Sequence, residues 1–212
     1  MPSEFTFQIS GFIFGLSGLI PGPLLTLVIS ESLKYGVKEG VKIAIAPLFS
    51  DLPIVLVTVF ILAHLSDIQP VLGLISMLGS MFLVYLAIES LSFRGTDINI
   101  DNVNPKSVRK GIITNFLNPS PYIFWFSIGA PTVVKAMDIG LVSVLAFVVT
   151  FYITLIGSKV VVALITGRSR YFLKSKNFIY TIRLLGLVLL IFAVLFFRNG
   201  LYYITSGSHL NY

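Results

Sequence analysis

Two charged residues stand inside otherwise apolar runs: Asp51 between Ala46 and Phe60, and Lys159 between Phe151 and Ile165. A charge held at mid-membrane costs about 2.5 to 3.5 kcal/mol on insertion scales, so each must face a partner or water. Asp51 can carry a coupling proton or hold a substrate ammonium, with a structural salt bridge as the plainer alternative. Lys159 can pair with Asp51, or snorkel to the nearer membrane surface. At helical rise Asp51 lies about 12 Å inward from the start of its run and Lys159 about 6 to 10 Å from the near end of its own, so the two can share a depth.

Two further features carry chemistry through the backbone. Pro21, Gly22 and Pro23 interrupt the first apolar run, and Pro119, Ser120 and Pro121 interrupt the fourth. Proline removes a backbone donor and clashes with the preceding turn, so each pair breaks its helix. Each break lies about 12 to 22 Å from the entry end, near the bilayer centre. Irregular backbone survives there only when buried in protein or lining a wet cavity. Pro23 and Pro121 each suit the first position of a new half-helix, whose free amides carry the positive end of the helix dipole and attract a carboxylate. Around the second break Asn115, Asn118, Tyr122, Trp125 and Gly129 recur at three- and four-residue spacing and fall on one face. The alternative role for the two asparagines is interhelical hydrogen bonding. Gly11, Gly15, Gly18 and Gly22 form a small-residue ridge, which reads as close helix packing.

The elements that position these residues follow from composition. Of 212 residues 56% are hydrophobic and 11% charged, and the mean hydropathy is +0.94. A soluble domain carries about 25% charge, so the chain reads as an all-α integral membrane protein with no room for a separate soluble catalytic domain. Phe7 to Ser30, Ile43 to Leu65, Pro70 to Ser92, Gly111 to Thr132, Ile139 to Ile165 and Ile179 to Thr205 are each long enough to cross about 30 Å of hydrocarbon. Only Glu4 among charged residues precedes the first run, which argues against a cleaved signal peptide.

Fifteen basic against nine acidic residues give a net charge of +6. Twelve basic residues fall beside one set of helix ends, among them Lys34, Lys38, Lys42, Lys106, Arg109, Lys110 and Arg168, and only Lys135 and Arg198 beside the other. The positive-inside rule then places both termini outside. Basic residues split among short loops offer no continuous surface to a phosphate backbone, so nucleic acid is not an expected partner. Cysteine is absent, which removes disulfides and thiolate chemistry.

The polar stretch 93–110 divides the chain into two three-helix units, residues 1–92 and 111–212. Asp97, Asn99 and Asp101 begin like a calcium loop, but Asn102 and Val108 stand where glycine and glutamate are required, so a plain cytosolic linker is expected. Glu89, near Arg94, reads as half of an interfacial pair. Three helices entering from outside followed by three entering from inside form an inverted 3+3 repeat, with helices 1 and 4 broken at corresponding places.

Gly18-Leu19-Ile20-Pro21-Gly22-Pro23 followed by Gly36 and Gly40, and then Gly111 with Asn115-Phe116-Leu117-Asn118-Pro119 and Pro131, resemble the two signatures of the lysine exporter (LysE) superfamily. The resemblance covers essentially the whole chain. It implies a cytoplasmic-membrane exporter of amino acids or related small metabolites, driven by an ion gradient, and it allows a homo-oligomer. Carried over by position, it implicates Pro21, Gly22, Pro23, Asn115, Asn118 and Pro119. Ala46 and Ser50 replace glycines frequent in the family, and Ser120 stands where its lysine usually follows Asn-Pro, so a carboxylate role at that position does not transfer.

The expected protein is therefore an alternating-access exporter without cofactor or bound metal, working in a lipid bilayer. The ligand's carboxylate is expected at the half-helix amides, its side chain at the Asn115 and Trp125 face, and the coupling ion at Asp51. A metal or inorganic-ion transporter on the same scaffold is the alternative, weakened by having only His64 and His209 as imidazoles. An intramembrane enzyme is not expected, because neither histidine lies near a break.

Overall fold

The computed structural model of the protein describes residues 4–64, 69–92, 106–169 and 176–207, and every regular element among them is helical. Helix α1 (Glu4–Gly15) runs into a 3₁₀ turn, Leu16–Leu19, before the chain is interrupted and restarts as α2 (Pro23–Tyr35). Gly36, at a φ of 95° that side-chain-bearing residues avoid, reverses the chain into α3 (Val37–Ala44). Ile45 separates α3 from α4 (Ala46–His64), which carries Pro47 in its first turn and Pro53 within it. The long helix α5 (Gln69–Leu91) follows. The chain resumes as α6 (Ser107–Phe116) and α7 (Pro119–Phe124), a π turn (Trp125–Gly129) and α8 (Ala130–Met137). Two long helices, α9 (Leu141–Ser169) and α10 (Lys176–Gly207), complete the described fold.

Three helical segments, Gln69–Leu91, Leu141–Arg168 and Ile179–Thr205, are long and apolar enough to cross a membrane, and the bent pair Glu4–Leu19 and Pro23–Tyr35 makes a fourth. Among the described residues this is fewer than the six spans expected, of which the first and fourth were expected to be broken. The fourth expected span is divided among α6, α7, the π turn and α8, because Pro119, Pro121 and Pro131 prevent one uninterrupted ladder. The second begins in α3 and is offset at Ile45 before α4. Outward-facing Leu74, Met81, Ile153, Leu184, Ile191 and Val194 are more than half exposed, an arrangement suited to hydrocarbon.

Helix α5 packs along α10, α1 along α9, and α4 against α6. The α1–α9 contact depends on the glycine ridge. A Cβ at Gly11 would lie 2.5 Å from the Phe147 carbonyl oxygen, at Gly15 2.7 Å from that of Phe151, and at Gly18 2.7 Å from that of Leu155. Without side chains at these positions the two backbones approach closely. Gly22 departs from the expected ridge, since a Cβ there would meet only the Ile20 carbonyl, at 3.8 Å.

One end of the bundle holds an ion network. Lys110 Nζ, from α6, lies 2.5 Å from Glu89 of α5 and 3.4 Å from Glu31 of α2. Lys34, 1% exposed, lies 3.8 Å from Glu31 and 3.9 Å from Glu89, and donates to Ser90 Oγ at 3.0 Å. Burial opposes the Lys110 ammonium, yet Glu31 and Glu89 hold its pKa above the ordinary lysine value. The sequence reading had placed Lys34 and Lys110 in loops as markers of sidedness. Instead α2 continues to Tyr35 and α6 begins at Ser107, so both lysines sit within helices and turn inward. Glu89 is taken by lysines, and the expected partner Arg94 lies outside the described residues, as do residues 93–105 of the expected linker, the calcium-like triplet within them, and His209.

Two stability predictions follow from these contacts. Gly15→Leu should separate α1 from α9 at a cost of at least about 1 to 3 kcal/mol, seen as a lower thermal midpoint in detergent. Glu31→Ala, which leaves Lys34 buried with fewer partners, should cost about 3 to 5 kcal/mol in the same assay.

Candidate functional site

The first break is built by local backbone. Ile20 is extended, with ψ 127°, and Gly22 is nearly fully extended, which aims the chain into α2 with Pro23 at its first helical position. The bend between the two segments is 60°. Proline's missing donor is harmless there, because the first turn has no intrahelical acceptors. The N–H groups of Leu24 and Leu25 belong to that turn. Thr26 closes it with its amide and its hydroxyl, both donating to the Gly22 carbonyl at 2.9 Å.

At the second break α6 ends at Phe116 and Asn118 caps the next helix, its Oδ1 accepting from the Ser120 amide at 3.0 Å. Pro119 is therefore the first helical residue, and Pro121, expected in that role, falls two positions further on. The freed carbonyl of Phe116 accepts from the Tyr122 hydroxyl at 3.0 Å, which supplies the partner that interrupted backbone needs in an apolar setting. After α7 the π turn presses Gly129 against the Trp125 ring. Phe124 stacks on Phe151 of α9 with centroids 5.0 Å apart, holding α7 against that helix.

Both breaks open on one cavity of about 380 Å³. Pro21, Gly22 and Pro23 line it from the first break, and Asn115, Asn118, Ser120, Pro121 and Trp125 from the second. Asp51 of α4 and Lys159 of α9 line it as well. Of the residues expected at a site only Pro119 is absent from the wall; its part is to open α7. The rest of the lining is mostly apolar and includes Leu24, Leu25, Phe124, Phe151, Phe192 and Phe196.

Asp51 is 3% exposed and held on both oxygens. Asn115 Nδ2 donates to Oδ1 at 2.8 Å and the Tyr152 hydroxyl to Oδ2 at 3.1 Å. The same Asn115 amide donates to Ser50 Oγ at 2.7 Å, and Ser50 donates to the Ala46 carbonyl at 3.0 Å. Ser50, where the family often has glycine, thus helps to seat Asn115 beside the acid. Lys159 makes no direct ion pair with Asp51, although both face the cavity; its ammonium donates to the Leu155 carbonyl one turn back, at 3.5 Å. Trp125 turns its indole toward Asp51 without reaching hydrogen-bond geometry, and Nε1 stays buried without a partner. Among the described residues no three His, Asp or Glu side chains gather as a metal site.

The model of the LysE type translocator family matches residues 16–200. The chain belongs to that family. It is thus a multi-pass membrane transporter of the LysE type, a small-molecule exporter and not an enzyme. No curated protein and no solved structure gives a significant match. The matched span takes in both broken helices, Asp51 and Lys159.

Sequence reasoning missed two features of this translocator's site: the Tyr152 hydroxyl that holds Asp51 from outside the cavity wall, and two of the aromatics that line the cavity. Tyr152 escaped notice although it stands seven residues before Lys159, two turns along the same face of α9, with Leu155 between them. Phe192 and Phe196, four residues apart on α10, read as ordinary lipid-facing or core residues until the fold brings them to the cavity. Asn115→Ala removes the Asp51 and Ser50 contacts together and should lower the thermal midpoint by the equivalent of about 1 to 3 kcal/mol, whereas Tyr152→Phe, which removes a single bond to Asp51, should cost about half as much.

Proposed function

We propose that this translocator exports amino acids or related small metabolites across the cytoplasmic membrane by alternating access, with the cavity as its central site and Asp51 responding to a proton or cation gradient. The observation that carries the reading is that two broken helices and two intramembrane charges meet on one cavity. Its volume, about 380 Å³, is of the size that small-molecule sites occupy. Carboxylate binding is favoured by the first-turn amides of α2, at the positive end of that helix.

The packing supports an inverted repeat of residues 1–92 and 111–212. If the unit starting at α6 repeats the unit starting at α1, the contact of α1 with α9 has its counterpart in that of α6 with α4, and α5 meets its own counterpart, α10. Those are the pairings found. Basic residues gathered at one set of helix ends favour both termini outside, which would put the network of Glu31, Lys34, Glu89 and Lys110 at the cytosolic end.

Proteoliposomes loaded with a panel of amino acids test the reading. Wild-type protein should move at least one member, with accumulation dependent on an imposed ion gradient. Asp51→Asn should cut gradient-driven accumulation by about tenfold or more while exchange of labelled for unlabelled substrate persists. If no member moves in wild-type vesicles, the amino-acid reading is wrong. If Asp51→Asn leaves gradient dependence intact, the coupling role is wrong.

A further inference from the structure

Lys159 is the least compensated charge on the cavity wall. It is 5% exposed, and among the described residues its one hydrogen bond is a 3.5 Å contact to the carbonyl of Leu155 in its own helix, with no carboxylate within ion-pair distance. Asp51, the acid that shares the cavity, already accepts from Asn115 and Tyr152 on its two oxygens. A buried ammonium without a counter-ion carries a desolvation cost that the surrounding protein leaves unmet, and a bound anion would meet it.

The ammonium is also placed where such an anion would be reached. A Cβ on Gly18 would come 2.9 Å from Lys159 Nζ, so the lysine tip lies against the backbone just before the first break, and the missing side chain makes room for it. Leu24 and Leu25 of the first turn of α2 and the partnerless Trp125 Nε1 border the same cavity, adding donors. Beyond these groups the wall is neutral: Ser17, Asn118 and Ser120 are polar, and Phe151, Phe192 and Phe196 are aromatic. A cationic side chain on a ligand would find no unoccupied carboxylate among the lining residues, since Asp51 is already held on both oxygens, which disfavours arginine- or lysine-like side chains.

We propose that Lys159 binds the carboxylate of the transported molecule, and that the cavity takes small amino acids whose side chains are uncharged and apolar, aliphatic or aromatic. This rests on the reading of the cavity as the transport site. The division of labour is then between Lys159, which holds the ligand's anion, and Asp51, which is held by protein and left to the coupling ion.

Trp125 is the only tryptophan in the chain and lines the cavity, so its fluorescence reports binding separately from transport. Purified full-length protein is titrated with leucine, phenylalanine, leucinamide and lysine, and the same compounds are tested for counterflow in proteoliposomes. Wild type should bind leucine and phenylalanine about tenfold or more tighter than leucinamide, which lacks only the carboxylate charge, and tighter than lysine. Lys159→Met should lose the preference for leucine over leucinamide, and Lys159→Arg should keep most of it. The leucine and leucinamide comparison in wild type needs no variant, so the test stands even if Lys159→Met fails to fold. Equal binding of leucine and leucinamide by wild type, or an unchanged preference in Lys159→Met, overturns the assignment of Lys159 while leaving the transport reading intact. Lysine bound as tightly as leucine overturns the proposed ligand class. A wild-type protein that neither binds nor moves any of the four overturns both the assignment and the reading on which it rests.

Discussion

In a medium without water every interrupted backbone hydrogen bond needs a protein partner, and this constraint shapes the molecule around its two helix breaks. Each break releases carbonyls and amides near the middle of an apolar bundle. The Phe116 carbonyl is answered by Tyr122, the Ser120 amide by Asn118, and the Gly22 carbonyl by Thr26. What is not answered locally must face a cavity, and both breaks do face one. The apolar helices around them pack in pairs: α9 against α1 through the glycine ridge, and α10 along α5.

The charges obey the same constraint in two different ways. At one end of the bundle Glu31, Lys34, Glu89 and Lys110 satisfy one another across α2, α5 and α6, so the cost of burying them is met within the protein. In the cavity Asp51 is satisfied by neutral donors from α6 and α9, and Lys159 only by a long contact to its own helix. Helix α6 joins the two sites, with Lys110 in the ion network and Asn115 on Asp51, about 7 to 8 Å apart along the helix axis. A shift of α6 would therefore disturb both groups of charges together.

Much of the site was legible in the chain because its signals are violations. An aspartate and a lysine in apolar runs, and paired prolines within spans, contradict what a membrane helix requires, and such contradictions are visible without neighbours. The LysE resemblance rested on those same prolines and on Asn115 and Asn118, and the family match to residues 16–200 agrees with it. Other features were not singled out because they look ordinary in one dimension. Lys34 and Lys110 had the placement of sidedness markers, and Tyr152, Phe192 and Phe196 had that of unremarkable helix residues. Pro121 looked like the start of a half-helix because the capping by Asn118, which moves that start to Pro119, depends on a side-chain rotamer.

Composition, hydropathy and the positions of prolines, glycines and charges were enough to determine that this is a helical membrane protein, where its helices break, and which two charges need a reason. Those properties are local: proline disturbs its own turn, and a charge is costly in hydrocarbon whatever its neighbours. Which groups meet was decided only by tertiary structure. That Asn115 and Tyr152 hold Asp51, with no direct ion pair between it and Lys159, depends on residues 64 and 101 positions from the acid. Helix packing sets their distance, and no periodicity along one helix encodes the rotation and depth of another.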